Sequence, residues 1–318
     1  MAFTEAQNFA IVQTELDTVF FQQFEYDATS PGIATANTGV IFKPVTTEHA
    51  AYIGEINMAT GLWDKVSEIQ TIPTSNPAVR NKYTIYVQDF ASSIEISKDL
   101  FDDNMHGVWA ENVKQFALMA RVTQDQNAFT LFNNAFSTSA TPTLTADGVS
   151  FINSAHPLII GGTTSNVVTA FNGTTALSDG SINNAIVQLR TQVNQRGVIL
   201  GGVPSILLVS PALWKLATQL TDSALVADNS NNAINVYRSA YGFQVYQSPY
   251  LSTGAGGSDI AWFMMTPQHS VSRLIRQGIE TALRPWQYSN NRTYLYQGNF
   301  REQVFVPDYA GAVGAPGT

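Results

Sequence analysis

The segment from Asp147 to His156 holds the residues whose types could perform catalysis. A serine hydrolase needs a serine nucleophile, a histidine base and a carboxylate within hydrogen-bonding reach, together with an oxyanion hole. Ser154 and His156 lie two residues apart and would face the same way on a strand, but Pro157 and the flanking turn residues disfavour that geometry. We therefore expect a structured loop, with a turn at Asp147-Gly148 and with His156 bonded to backbone groups. A serine hydrolase stays as a disfavoured alternative.

The rest of the sequence offers little further chemistry. Cysteine is absent, which excludes disulfides, thiolate metal sites and cysteine nucleophiles. The four histidines share no ligand spacing, and Asp99, Asp102 and Asp103 stand where they would cap a following helix. The segment 254–257 lacks the last glycine of a dinucleotide fingerprint. We therefore predict no catalytic residue, no metal, no cofactor and no enzymatic activity.

Two helices and a long extended excursion organise the first half of the chain. Residues 4–26 and residues 102–136 carry apolar side chains at helical spacing, which predicts a helix over each range. Residues 41–97 are predicted to form a long extended excursion. Its predicted parts are strand-like stretches at 63–72 and 83–90, a turn-rich tip at 73–77, and a further strand around Ile94 and Ile96. An isolated two-stranded arm is marginal in water, so the excursion must lie on the body of the protein or on a neighbour.

The second half begins with a turn-rich connector at 137–180 and then alternates helices with strands. We predict helices at 181–196 and 211–220, strands at 205–209, 243–246 and 260–265, a polar loop at 221–232, antiparallel strands within 282–306 with a turn at 289–292, and a flexible tail at 310–318.

The charge of the chain is low and unevenly distributed. Charged residues make up 13% of the sequence, about half the usual share of a globular domain. Of the net charge of −8, residues 1–110 carry 14 acidic against 5 basic side chains, whereas residues 111–318 carry 10 against 11. This pattern invites head-to-tail pairing between copies. The acidic balance argues against a nucleic-acid-binding surface, and no apolar run approaches the roughly 20 residues of a membrane span.

Several segments, in their order and spacing, resemble one protein family. The segments are Asp147-Gly-Val-Ser-Phe-Ile-Asn-Ser-Ala-His156-Pro-Leu, Gly161-Gly-Thr-Thr-Ser-Asn166, Gln192-Val-Asn-Gln-Arg-Gly197, Pro204-Ser-Ile-Leu-Leu-Val-Ser-Pro211, Asn235-Val-Tyr-Arg-Ser239 and Gly242-Phe-Gln-Val-Tyr-Gln-Ser-Pro-Tyr250. Together with the order of predicted elements, they are similar to tailed-phage major capsid proteins of the Hong-Kong-97 type, and most similar to the Mu-like major head subunit family. The resemblance covers nearly the whole chain.

The resemblance implies an α+β fold of the Hong-Kong-97 type and a division of the chain into five parts. These are an N-terminal arm at 1–40, an extended loop with flanking strands at 41–97, a peripheral domain at 98–181 with the spine helix at 102–136, an axial domain at 182–270, and return strands with a C-terminal tail at 271–318. The extended loop would lap onto a neighbouring subunit, and the polar loop at 221–232 would lie nearest the capsomer axis.

The resemblance also implies a structural function. Copies would form hexamers and pentamers in an icosahedral shell around double-stranded DNA, in a virion assembled in the host cytoplasm. Scaffold, portal and decoration proteins are expected partners, and no membrane is involved. From the charges we expect the subunit interface to use Glu68, Arg80, Lys82, Arg276, Arg284 and Arg301. An encapsulin-like nanocompartment shell that packages a cargo enzyme is the main alternative.

Overall fold

The computed structural model describes residues 5–29, 38–57, 62–68, 71–72, 74, 79–99, 106–138, 145–224, 234–285, 287 and 291–318. Its helices are α1 (Glu5–Thr29), α2 (Thr38–Ile41), α3 (His106–Asn133), α4 (Asp179–Thr191), α5 (Pro211–Thr221) and α6 (Val236–Ala240). Its strands are β1 (Lys43–Thr46), β2 (Ala51–Asn57), β3 (Val79–Tyr86), β4 (Gln88–Ser97), β5 (His156–Pro157), β6 (Thr163–Thr164), β7 (Ile206–Val209), β8 (Gln244–Gln247), β9 (Trp262–Met265), β10 (Ser272–Arg284), β11 (Thr293–Phe305) and β12 (Ala312–Ala315).

The first sheet has the order β1-β10-β11-β4 and is covered on one face by α1 and α3. Strand β1 is parallel to β10, and the other two pairs are antiparallel. The predicted amphipathic face of α1 is confirmed, because Val12, Leu16 and Phe20 are buried against α3 and the sheet. The ring of Phe20 lies 6.2 Å from that of Tyr296 on β11. The N-terminal helix therefore closes a core of its own chain.

The second sheet has the order β12-β9-β7-β8 and is buried on both faces. Successive side chains of a strand point to opposite faces. Ile206 and Leu208 of β7 accordingly pack into a core with the second half of α3, whereas Leu207 and Val209 pack into a core with α4 and α5. Helix α3 therefore joins the two layers, since its first half packs on the first sheet and its second half on the second.

Helix α3 confirms the predicted long helix and begins at His106 within the described residues. The predicted capping residues Asp102 and Asp103 lie outside those residues. Helix α4 begins at Asp179, two residues before the predicted start, because a capping box between Ser178 and Ser181 sets its N-terminus. It ends at Thr191, before the predicted end at residue 196, and a turn closed by the bridge between Val193 and Ile199 follows. None of the described helices combines the length and the apolarity that a bilayer crossing requires.

The arm differs from the prediction in its strands. Strands β2 and β3 pair in antiparallel register, whereas the described residues of 63–72, predicted as strand-like, have no regular secondary structure. The reason is a long-range contact: the rings of Tyr52 and Tyr83 lie 5.8 and 6.0 Å from the ring of Phe305 on β11, and so decide which residues pair. Except for Thr74, the predicted tip at 73–77 lies outside the described residues, as do residues 225–232 of the predicted polar loop.

The prediction of a flexible tail at 310–318 is wrong. Residues 312–315 form β12, which is fully buried and pairs with β9. The small residues that suggested flexibility are what the close packing requires: a Cβ atom on Gly314 would lie 2.9 Å from side-chain atoms of Ile152 and Phe263. The carbonyl oxygen of Thr318 also accepts hydrogen bonds from the backbone N–H and hydroxyl of Thr175, at 2.6 and 3.0 Å.

The predicted antiparallel strands near the C-terminus are confirmed as a longer hairpin. Strands β10 and β11 pair from Ser272 with Phe305 to Arg284 with Leu295. Of the predicted turn at 289–292, the structure describes Asn291 and Arg292, and Arg292 has a positive φ of 52°.

Candidate functional site

His156 lies at the centre of a buried polar cluster. Its Nδ1 is 2.8 Å from Oδ2 of Asp147, and its Nε2 is 3.1 Å from Oδ1 of Asn166. The amide of Asn166 is oriented by its own Nδ2, which donates to the carbonyl of Phe151 at 2.8 Å. The imidazole ring stacks on Tyr309 with the centroids 4.2 Å apart. Both ring nitrogens therefore face side-chain oxygen atoms.

Ser154, the nucleophile of the disfavoured hydrolase alternative, is not part of this cluster. Ser154 is exposed, and none of the hydrogen bonds among the described residues joins it to His156. The predicted turn is confirmed, since Gly148 has a φ of 84° and the backbone N–H of Val149 donates to Asp147. The prediction that His156 bonds to backbone groups is wrong, because both its partners are side chains.

The electrostatics of Asp147 fit a stable pair with His156. Burial by itself raises the pKa of Asp147, but hydrogen bonds from His156 and Thr145 outweigh burial and hold the pKa below its ordinary value. The neighbouring Asp308 is affected differently, because burial raises its pKa. Among the described residues, no three side chains of the kinds that ligate metals come together.

The arm formed by β2 and β3 is the second candidate site. Across the two strands, Nζ of Lys82 lies 2.9 Å from Oε1 of Glu55. The ring of Tyr83 crosses over Gly54, where an added Cβ atom would lie 2.2 Å from the ring. Burial raises the pKa of Tyr83 to about 12. The base of the arm is therefore an aromatic contact with the body, and a side chain at position 54 would displace the ring of Tyr83.

Beyond this base, large apolar side chains of the arm are left uncovered by their own chain. Trp63 is 97% exposed and Leu62 is 78% exposed, and Ile53, Ile72 and Tyr86 are exposed as well. Large apolar side chains that are exposed together in one part of a chain are candidates for contact with another surface. The sequence prediction of interface residues missed them because it considered only charges. Their signal in the sequence is that Leu62, Trp63 and Ile72 flank charged residues in a segment without a core pattern.

The arm holds three of the six predicted interface residues. Glu68 is exposed in the irregular segment 62–68, and Lys82 pairs with Glu55. Arg80 lies in β3 where the pairing register shifts between Asn81 and Val79, and its side chain is outside the described residues.

The other three predicted residues lie on the first sheet. The guanidinium of Arg301 donates to both carboxylate oxygens of Asp89 in the same chain. That hydrogen bonding lowers the pKa of Asp89, with a smaller electrostatic contribution from the nearby Arg276. Arg284 is exposed at the end of β10. The six residues therefore form two groups, one on the arm and one on the sheet.

The acidic first third of the chain is partly paired with its own C-terminal strands. Asp17 accepts hydrogen bonds from Thr281 at 2.7 Å and from Tyr296 at 2.8 Å. Nη2 of Arg292 lies 3.9 Å from Oδ1 of Asp99. Together with the pair of Asp89 and Arg301, these contacts use within one subunit some of the charges that the sequence offered for pairing between copies.

The fold of this chain is similar to that of several solved structures. Similar solved structures include that of Microbacterium phage Oxtober96, with a TM-score of 0.54 and 12% identity over 88% of this chain and 90% of that one. A virus-like particle from Pyrococcus furiosus has a TM-score of 0.53 and 6% identity, over 95% of this chain and 98% of that one. The capsid of a native GTA particle has a TM-score of 0.51 and 13% identity, over 88% and 89%. These similarities support the predicted Hong-Kong-97-type fold.

No curated protein sequence matches this chain. The sequence model of a family described as phage capsid protein, however, matches residues 82–315, which is most of the chain. That span runs from β3 of the arm through both sheets to the buried strand β12. The chain belongs to the phage capsid protein family and is a structural major capsid protein with the Hong-Kong-97-type fold.

Proposed function

We propose that many copies of this chain assemble as hexamers and pentamers into an icosahedral shell that encloses double-stranded DNA in a phage head. The observation that carries this proposal is the exposure of apolar side chains on the arm: Leu62, Trp63 and Ile72 are exposed in the single subunit. A two-stranded arm that is anchored only at its base gains stability by covering its apolar side chains on another surface. A neighbouring subunit supplies that surface in a shell.

The charges on the arm set where it docks. Glu68, Arg80 and Lys82 would contact the neighbour. Arg276 and Arg284 on the first sheet are the proposed counterparts for acidic groups of the neighbour. Arg301 would contribute less, because it is bound to Asp89 in its own chain. Charges at the rim of an interface fix register and partner choice more than they add affinity.

Repetition of this contact explains how a shell closes. If the arm docks on a surface of the neighbour other than that neighbour's own arm, the contact is heterologous and forms a ring when the rotation closes. Following the resemblance, residues 182–270 would gather around the local axis, with the loop 221–232 nearest to it. A net charge of −8 suits a wall that must not hold DNA tightly. Membership of the Mu-like group, assembly in the host cytoplasm, and scaffold, portal and decoration partners are parts of the same proposal.

The test is a matched pair of charge reversals. Lys82 and Lys114 each pair with one glutamate, and their side chains are 68% and 47% exposed. We expect Lys82→Glu to impair shell assembly, and Lys82→Glu combined with Arg80→Glu to impair it further, while Lys114→Glu on α3 leaves shells intact. Negative-stain electron microscopy would score particles, and circular dichroism would verify folding. Normal shells from the double variant would contradict docking through these residues.

A nanocompartment shell with a protein cargo is the second candidate, and the structural similarity to a virus-like particle favours keeping it. The two functions differ in what the particle holds. Nuclease-protected DNA in purified particles would support a phage head, whereas a bound protein without DNA would support a nanocompartment. The match to the phage capsid protein family favours the first.

A further inference from the structure

Two buried carboxylates lie on helix α3 and on strand β11 of the first sheet, two elements that contact each other. Asp125 stands in the second half of α3, and Glu302 stands in β11. Each residue is only 1% exposed. A buried charge is costly unless it is paired and hydrogen-bonded, so such a pair between two principal elements needs a physical explanation.

The arginines nearby are engaged elsewhere. Arg273 on β10 directs its Nε and Nη2 to Oε2 of Glu302, with Nε at 2.9 Å. Arg121, one helical turn before Asp125, places its guanidinium over the ring of Phe24 on α1, with Cζ 5.6 Å from the ring centroid. The guanidinium of Arg273 therefore balances the charge of Glu302, and that of Arg121 contacts α1. Both act on Asp125 through electrostatic attraction, which lowers its pKa.

Both carboxylates keep one buried oxygen without a hydrogen bond. Among the described residues, Oδ2 of Asp125 and Oε1 of Glu302 have no partner. An unsatisfied buried acceptor costs about 1–3 kcal/mol, and more when it is charged. A proton on Asp125 removes the charge and turns one oxygen into a donor. We propose that Asp125 is a proton-binding site that makes the packing of α3 on the first sheet depend on pH.

The groups that face Asp125 agree with this proposal. Burial raises the pKa of Asp125 to about 7, and Glu302 acts in the same direction, while Arg121 on α3 and Arg273 on β10 act against it. Tyr250, in the short helix Pro249–Leu251, also faces the site, and its pKa is raised first by burial and then by Asp125.

The sign of the pH dependence follows from this shift. Between the ordinary pKa of 3.8 and about 7, the folded protein holds a proton that the unfolded chain has released. The contribution of Asp125 to stability therefore falls as the pH rises through this window, and above it the full cost of a buried ionised carboxylate remains. Because α3 packs on both sheets, its loosening would be felt in both layers.

The test uses the full-length protein and hydrogen–deuterium exchange of α3. After correction for the intrinsic dependence of exchange on pH, we expect opening of the segment around Asp125 to be at least about tenfold more frequent at about pH 8.5 than at about pH 5.5. Asp125→Asn, which keeps the shape and removes the charge, should abolish this difference. Asp222→Asn, at a side chain that is 68% exposed, should leave it unchanged.

A second measurement detects the proton directly. Infrared difference spectra should contain a protonated-carboxyl band near neutral pH in the native protein, and the band should be lost in Asp125→Asn. The proposal is overturned if the native protein lacks both the band and the pH-dependent opening, or if Asp125→Asn keeps both.

Discussion

Replacing Asp147 by Asn should destabilise the subunit, because it removes the buried carboxylate that contacts His156. The side chains of His156 and Asp147 are 0% and 6% exposed, and a buried polar group that loses its hydrogen-bond partner costs about 1–3 kcal/mol. Unfolding entropy is about 2.1 cal/mol/K per residue, which gives about 0.67 kcal/mol/K for a chain of this length. The melting temperature should therefore fall by about 1.5–4.5 °C.

The measurement is thermal and urea unfolding of the purified protein at several pH values, with Ser154→Ala as the control. Since the pKa of Asp147 is held below its ordinary value, its stabilising contribution is present above the ordinary pKa and is lost as the pH falls through the folded value. The difference between native protein and variant should thus shrink in acid. Ser154 is exposed, so its replacement should change stability by less than about 0.5 kcal/mol. The reasoning is refuted if Asp147→Asn is neutral at pH 7, or if Ser154→Ala costs as much.

Two further outcomes follow from the same structure. Deletion of 312–318 removes β12 and uncovers β9, and burial of Val313 alone is worth about 1.5–3 kcal/mol. We therefore expect the truncated protein to lose most of its soluble yield. A normal yield would contradict the buried position of β12. Arg301→Gln should leave the urea midpoint close to that of the native protein, because the side chain of Asp89 is 59% exposed and exposed ion pairs contribute little. A clearly lower midpoint would mean that the pair is more than a surface contact.

The parts of the fold that depend on local pattern could be predicted from the sequence. Helices α1 and α3 carry apolar residues at helical spacing, and those residues form the face that each helix buries. The strands around 206–209 and 262–265 are short apolar runs, and both are buried on two faces. These elements needed no knowledge of distant residues.

The parts that depend on distant contacts could not be predicted. The pairing of β2 with β3 is decided by Phe305, more than 200 residues further along the chain. The tail reads as flexible because it is rich in small residues, but only small residues fit beside Ile152 and Phe263. In the candidate site, the turn at Asp147 was local and predictable, whereas the contact of His156 with Asn166 required the fold.

The uneven charge of the sequence acquires a different meaning once the contacts are known. An acidic first third and a spaced set of arginines suggested that charge joins neighbouring copies. Three of those acidic residues, Asp17, Asp89 and Asp99, instead contact the strands β10 and β11 or the turn between them in the same subunit. Exposed ion pairs contribute little, whereas burial of apolar surface contributes about 25 cal/mol per Å². We therefore propose that the exposed side chains around Trp63 would be the stronger source of binding energy between copies, and that the remaining charges of the arm would select its register.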